Sequence, residues 1–183
     1  MNPLPLVSVI VLNYNAGELL LNCIKSLKNS IYKNLEIIVV DNVSSDGSQI
    51  KCKEIFSDIK LIENKKNLGY CGGNNVGIRN ANGEYLVILN PDTIVETDFI
   101  VKFLKAISEF GDGLFQGKNV AMDNDDVLRS TGNWINIFGF GYARDKGVSK
   151  NKKFDGIEEI NYASGTCLFT KMETIKNILY QFG

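Results

Sequence analysis

The run Leu6 to Leu12 (LVSVIVL) is mostly apolar and β-branched, and it stands between Pro5 and Asn13-Tyr14-Asn15. It is too short for an ordinary helix and is stopped by turn formers, so it predicts a buried, parallel-type strand. Leu35 to Val40 (LEIIVV), ending at Asp41, and Tyr85 to Leu89 (YLVIL), ending at Asn90-Pro91, repeat the pattern, with a shorter strand at Ile59 to Ile62. Between them the period changes. Leu20, Cys23, Ile24 and Leu27 recur at helical spacing, as do Phe99, Ile100, Phe103, Leu104 and Ile107, with Thr97 as the expected cap of the second helix. SSDGS at 44–48 opens a helix reaching about Phe56, and Tyr70 to Ala81 reads as a helix despite Gly72, Gly73 and Gly77.

Alternating βαβαβαβα order predicts an α/β fold with a mostly parallel central sheet covered by helices on both faces. After Gly111 the pattern loosens. Leu114 to Ala121 and Ile157 to Tyr162 are expected strands, Asp123 to Asp126 a hairpin tip, Asp145 to Asp155 a lysine-rich loop, and Met172 to Leu179 a helix. No repeat or low-complexity linker interrupts the 183 residues, so a single domain over 1–183 is expected.

Composition narrows the chemistry. The chain has no histidine, and its cysteines at 23, 52, 71 and 167 form no CxxC pair. Histidine triads, zinc hydrolase sites and thioredoxin-like redox centres are thereby removed. Any metal would be a hard ion held by oxygen, Mg²⁺ or Mn²⁺. A net charge of −1 argues against an electrostatic grip on nucleic acid or on an anionic membrane. With neither a basic leader nor a long apolar span, the chain is expected in the cytoplasm, with the inner face of a membrane as an option.

Ligands of open parallel sheets bind at the carboxyl ends of the strands. Those ends carry Asn13-Tyr14-Asn15, Asp41-Asn42, Asn64 to Asn67 and Asn90-Pro91-Asp92. Amides and carboxylates at every strand end suit a polar, multi-hydroxyl ligand, although Asn and Asp also favour turns there. Pro91 stiffens the backbone beside Asp92, which taken alone reads as a turn former, the other reading being a carboxylate that holds a metal bridging two phosphates. GxxxxGK[ST] is absent, and the glycines at 69, 72, 73 and 77 do not form GxGxxG, which excludes a P-loop and disfavours a dinucleotide dehydrogenase.

The ordered segments VSVIVLNYNAGELLLNCIKSL, EIIVVDNVSSDGS, NLGYCGGNNVGIRNANGEYLVILNPDT and YASGTCLFTK resemble the family 2 glycosyltransferases. Within them the chain is most similar to the rhamnosyltransferase-like branch, where NPD stands in place of DxD. The resemblance implies a GT-A fold and inverting transfer from a nucleotide-diphosphate sugar (UDP- or dTDP-linked) to a saccharide or lipid-linked acceptor in polysaccharide biosynthesis. It implies that Asn13 and Tyr14, with Asn15 beside them, line the base pocket, that Asp41 accepts a hydrogen bond from the base imide, and that Asp46 braces the SSDGS loop. Asn67, Gly69 and Asn74 would run under ribose and diphosphate. Asn90 and Asp92 match the ends of DxD, with Asp92 as the Mg²⁺ or Mn²⁺ ligand. Ser164, Gly165 and Thr166 would face the donor sugar and acceptor.

The resemblance also implies a general base in an acidic FDE…ED segment after the helix at 172–179. Neither Glu158, Glu159 nor Glu173 fits that position. The base is therefore expected beyond Gly183, leaving this chain mainly the donor-binding part of a C-terminally truncated enzyme. A noncatalytic nucleotide-sugar-binding protein of the same fold is the alternative. Trp134, Phe138, Phe140 and Tyr142 suit an acceptor-stacking face, a small core or a homodimer patch. Lys150, Lys152 and Lys153 read as a solvated loop, with assistance to a phosphate-bearing lipid acceptor as the other option.

Overall fold

The structure, a computed structural model, describes residues 4–123, 126–153 and 156–182. Asp125 of the expected hairpin tip and Phe154 and Asp155 of the lysine-rich loop lie outside the described residues.

The first two-thirds of the chain alternates β1 (Val7–Asn13), α1 (Glu18–Lys28), β2 (Leu35–Asp41), α2 (Ser48–Ile55), β3 (Lys60–Glu63), α3 (Gly69–Arg79), β4 (Tyr85–Leu89) and α4 (Phe99–Phe110). Short strands follow: β5 (Phe115–Gln116), β6 (Asn119–Val120), β7 (Leu128–Ser130), β8 (Asn133–Ile135) and β9 (Gly141–Ala143). β10 (Cys167–Lys171) and α5 (Met172–Phe182) complete the order. The main sheet runs β3-β2-β1-β4-β10-β5, with β1 to β4 parallel and β10 antiparallel to both its neighbours. β6–β7 and β8–β9 form separate antiparallel ribbons.

Pleat alternation divides the core in two. Val7, Val9 and Val11 of β1 meet α1, α2 and α4 through Leu20, Ile24, Cys52, Ile100 and Ile107. Ile10 faces the opposite side with Ile38, Val40, Leu86, Ile78 of α3 and Met172 of α5. Both faces are thus covered, as expected. Ser8, fully buried within β1, is satisfied by donating to Glu36 Oε1 and accepting the Gly83 N–H at 2.7 Å. Burial pushes the Glu36 carboxyl up, but donors from Ser8, Asn82 and Gly83 outweigh it and hold it below its ordinary range.

The glycines of α3 are explained by close packing. A Cβ on Gly77 would lie 2.5 Å from Ile10 Cγ2, and one on Gly73 would strike Leu12 and approach Asn42 Nδ2 to 3.1 Å. One turn apart, these two positions let the helix backbone settle directly onto β1.

Three expectations are corrected. Leu114 to Ala121 is not one strand: it breaks into β5, at the edge of the main sheet, and β6, in the ribbon with β7. Ile157 to Tyr162 is not a strand: it makes one bridge, Tyr162 to Asn133, and Asn161 otherwise caps β8 through its side chain. The strand is β10, hidden by polar Thr170, whose buried hydroxyl donates to Gly113 O at 2.8 Å. Thr97 does not cap α4. Asp98 holds that position without a side-chain cap bond, and the Thr97 carbonyl accepts from Ile31 N–H.

Substituting Gly77→Ala should destabilise the fold by about 1–3 kcal/mol, because the added methyl must displace Ile10 in a packed layer. Urea unfolding of the variant beside the parent measures this. An unchanged midpoint would show that α3 does not sit against β1 as described.

Candidate functional site

β1 and β2 end level, with Asn13 opposite Asp41 in the register. Asn13 is fully buried, and its Nδ2 lies within hydrogen-bond distance of Asp41 Oδ1 (2.8 Å), Ser44 Oγ (3.0 Å) and Ser48 Oγ (2.9 Å). Ser44 returns to Asp41 through its N–H (2.9 Å to Oδ2) and its hydroxyl (2.6 Å to Oδ1). The chain turns back at Val43, whose φ of 66° is rare for a β-branched residue and carries strain. Asp41 thus accepts three hydrogen bonds, leaving one of its four lone-pair sites, on Oδ2. Asp46 accepts from Gly17 N–H and from the N–H and hydroxyl of Ser48, which ties the 44–48 loop to the start of α1.

Asn42 fixes the next wall. Its Oδ1 accepts from Asn64 Nδ2 (2.8 Å) and Leu68 N–H (3.3 Å), while its Nδ2 donates to Gly69 O (3.0 Å). Asn67 Oδ1 accepts Gly69 N–H at 2.8 Å, and Gly69 adopts φ 68°, open to glycine without cost.

On the other side of β1, β4 leads into Asn90-Pro91-Asp92. Asn90 N–H donates to Thr166 O (3.0 Å), and Tyr70 Oη donates to Gly165 O (2.8 Å), so the 164–166 turn is fastened to both rims. Ser164 N–H donates to Gln116 Oε1 (2.7 Å), and its hydroxyl pairs with Thr166 Oγ1. Beneath lie Cys23 and Cys167, whose thiols burial pushes up to about 12, which makes them inert.

Between these rims runs an open groove of about 470 Å³, lined by Leu12, Tyr14, Ala16, Asn42, Asn67, Gly69, Tyr70, Asn90, Pro91 and Asp92. It lies where the strand order reverses between β1 and β4, the switch point of an open α/β sheet. A wider cleft of about 970 Å³ adjoins it, sharing Asp92 and also bounded by Thr166. Asp92 is exposed at this junction, and no group of three metal-ligating side chains occurs among the described residues. One hard carboxylate suits a divalent ion whose remaining ligands come from phosphates and water.

Of the residues singled out in the sequence, Tyr14, Asn67, Gly69, Asn90 and Asp92 meet in the groove, and Thr166 borders the adjoining cleft. The expectation that Asn13 lines the pocket is corrected, since it is enclosed and acts on Asp41. Asn15 turns outward, its Oδ1 accepting Ser45 N–H at 2.7 Å. Asn74 is buried in α3 and donates to Tyr70 O, leaving its Oδ1 without a protein partner. Gly165 packs under the Tyr70 ring. Sequence reasoning missed Asn42 and Tyr70 as positioning residues, because their partners lie 22 to 95 positions away.

Residues 8–179 match the family described as Glycosyl transferase family 2. The chain belongs to that family. Among curated relatives, an uncharacterized glycosyltransferase of Haemophilus influenzae is 39% identical over 103 residues, covering 55% of this chain and 32% of that protein. The Escherichia coli UDP-Glc:alpha-D-GlcNAc-diphosphoundecaprenol beta-1,3-glucosyltransferase WfgD is 37% identical over 91 residues, 49% of this chain and 36% of the relative. The chain therefore spans about a third of these two relatives. The mannosyltransferase PcManGT of Pyrobaculum calidifontis, solved with GDP-Man and Mn²⁺, superposes with a TM-score of 0.68 at 20% identity, over 97% of this chain and 47% of that one. S. aureus TarS in complex with UDP-GlcNAc superposes at 0.55 and 22% identity, over 64% of this chain and 37% of that one. These likenesses establish the GT-A fold.

In this family 2 domain, hydrogen bonds from the Ser48 hydroxyl and N–H, with a further one from Gly17, hold the Asp46 carboxyl below the ordinary aspartate range. A lowered folded-state pKa adds stability above the unfolded value, and this is lost as pH falls through the folded one. The stability gap between the parent and Asp46→Asn should therefore be largest near neutrality and should close as the pH drops below about 4. Unfolding midpoints across an acid pH series check this.

Proposed function

We propose that this chain is the donor-binding part of an inverting glycosyltransferase that takes a UDP- or dTDP-linked sugar and passes it to a saccharide or lipid-linked acceptor in polysaccharide biosynthesis. One observation carries the reading: amides, a positive-φ glycine and a single exposed carboxylate line one groove at the sheet's switch point. That set suits a ribose and diphosphate with a metal between phosphates and protein. NPD at 90–92 supports placement in the rhamnosyltransferase-like branch. The neighbours' ligands, GDP-Man with Mn²⁺ and UDP-GlcNAc, support a nucleotide-sugar donor.

Each residue then has a task. Asp41, held by Asn13 and Ser44, offers its remaining Oδ2 lone pair to a base imide N–H, which uracil and thymine possess and cytosine lacks. Tyr14 lies along the base side, and Asn67 and Gly69 run under the ribose and diphosphate. Asp92 anchors Mg²⁺ or Mn²⁺, which neutralises charge on the departing diphosphate, and Asn90 sits beside it. Ser164, Gly165 and Thr166 frame the donor sugar where the groove meets the wider cleft. Among the described residues Asp92 is the one carboxylate lining the groove, Asp41 being 2% exposed at the end of β2, and no residue lining it is assigned as general base.

Calorimetric titration with UDP, dTDP, GDP and CDP, each with and without Mn²⁺, tests the reading. Metal-dependent binding of UDP or dTDP is expected, and no binding of any nucleotide sinks it. Asp92→Ala should remove the metal dependence. Asp41→Ala should reduce the preference for UDP over CDP about 10–100-fold, the size of one charge-assisted hydrogen bond.

A further inference from the structure

β8 and β9 project a hairpin whose tip is apolar and bare. Ile137 is 94% exposed, Phe138 78% and Phe140 70%, with Ile135 and Tyr142 also exposed along its sides. Isolated apolar residues on a surface are ordinary, but five large ones on a single hairpin are not. Asn133 to Ala143 contains no charged residue.

Four backbone N–H groups of this tip are satisfied within it. Asn136 N–H donates to Phe140 O, and Gly139 N–H to Asn136 O, at 3.0 and 2.9 Å. Asn136 Oδ1 accepts the N–H groups of both Phe138 and Phe140 at 3.0 Å. Such a tip can leave water without stranding those donors, which is the requirement a lipid environment imposes. In the segment leaving β9, Arg144 pairs with Glu158 and Lys152 with Asp145, while exposed Lys146 and Lys153 are the cations it offers to lipid phosphates behind the uncharged tip.

We infer that the β8–β9 hairpin seats the protein on a lipid bilayer, with Ile137, Phe138 and Phe140 entering the headgroup–acyl boundary. Among the described residues no helix is long and apolar enough to cross a membrane. The hairpin base is continuous with the groove. Asn133 Nδ2 donates to Gln116 Oε1 (2.9 Å), the same atom that accepts Ser164 N–H. Seating the tip therefore holds the 164–166 turn near the headgroups. Resting on the donor reading above, this selects a lipid-linked acceptor over a free saccharide.

The test is co-sedimentation with phosphatidylcholine vesicles containing a quarter phosphatidylglycerol, for the parent and for Phe138→Ser/Phe140→Ser. Both rings are exposed, so the variant should keep the parent's unfolding midpoint and its nucleotide titration. Parent binding to vesicles is expected, with partition weakened on the order of a hundredfold in the variant. Absence of parent binding, or equal binding by both, overturns the inference. So does a parent dimer in light scattering that the double substitution dissociates, which would make a second copy the occupant of the tip. Vesicle binding needs no nucleotide. Failure here with intact UDP titration leaves the donor reading standing, and the reverse result leaves the hairpin's role standing.

Discussion

The approach of α3 to β1, permitted by hydrogen atoms where other residues carry a Cβ at Gly73 and Gly77, fixes the position of one rim of the groove against the other. α3 starts at Gly69, so its depth against the sheet decides where Asn67, Gly69 and Tyr70 stand relative to the strand ends. Tyr70 carries that placement across the groove to Gly165, and Thr166 passes it on to Asn90. A helix held farther out by methyl groups would shift one rim while the other, fixed by β4, stayed in place. Packing in the core thus sets the width of the groove.

The two rims are built differently. On the β2 side, Asn13, Asp41, Ser44, Ser48 and Asp46 bond to one another, and even the strained Val43 turn is retained. On the β4 side, Asp92 projects from a proline-stiffened turn into an open junction, with few protein partners. In a family 2 domain of GT-A fold, one rim is thus completed by the protein's own hydrogen bonds and the other is left open.

Much of the fold was legible because strand and helix periods are local. Tyr85 to Leu89 matches β4 residue for residue, and α1, α2 and α3 begin and end within two residues of expectation. β10 was not legible: Thr170 looks like a surface residue until Gly113, 57 positions earlier, supplies its acceptor. Asn13 failed for a related reason. A polar residue at a strand end reads as ligand-facing, yet here its partners are Asp41 at the end of β2, Ser44 in the loop after it and Ser48 at the start of α2. Asn42 and Tyr70 are the converse, ordinary in sequence and decisive only through distant partners. The glycines of α3 argued against a helix by propensity, and tertiary packing overrode that preference.

The Val43 turn has a consequence for how the groove responds to a ligand. A backbone kept in an unfavourable conformation by Ser44 and Asp41 has already lost its freedom when the protein folds, so little remains to be lost when a nucleotide arrives. Recognition on that side would behave like a key meeting a cut lock, fast and nearly indifferent to loop dynamics. On the proposed donor reading, Asp92 would instead gain its partners only when an ion and phosphates arrive together. Kinetically, such a groove would register the base first and commit to the sugar only afterwards.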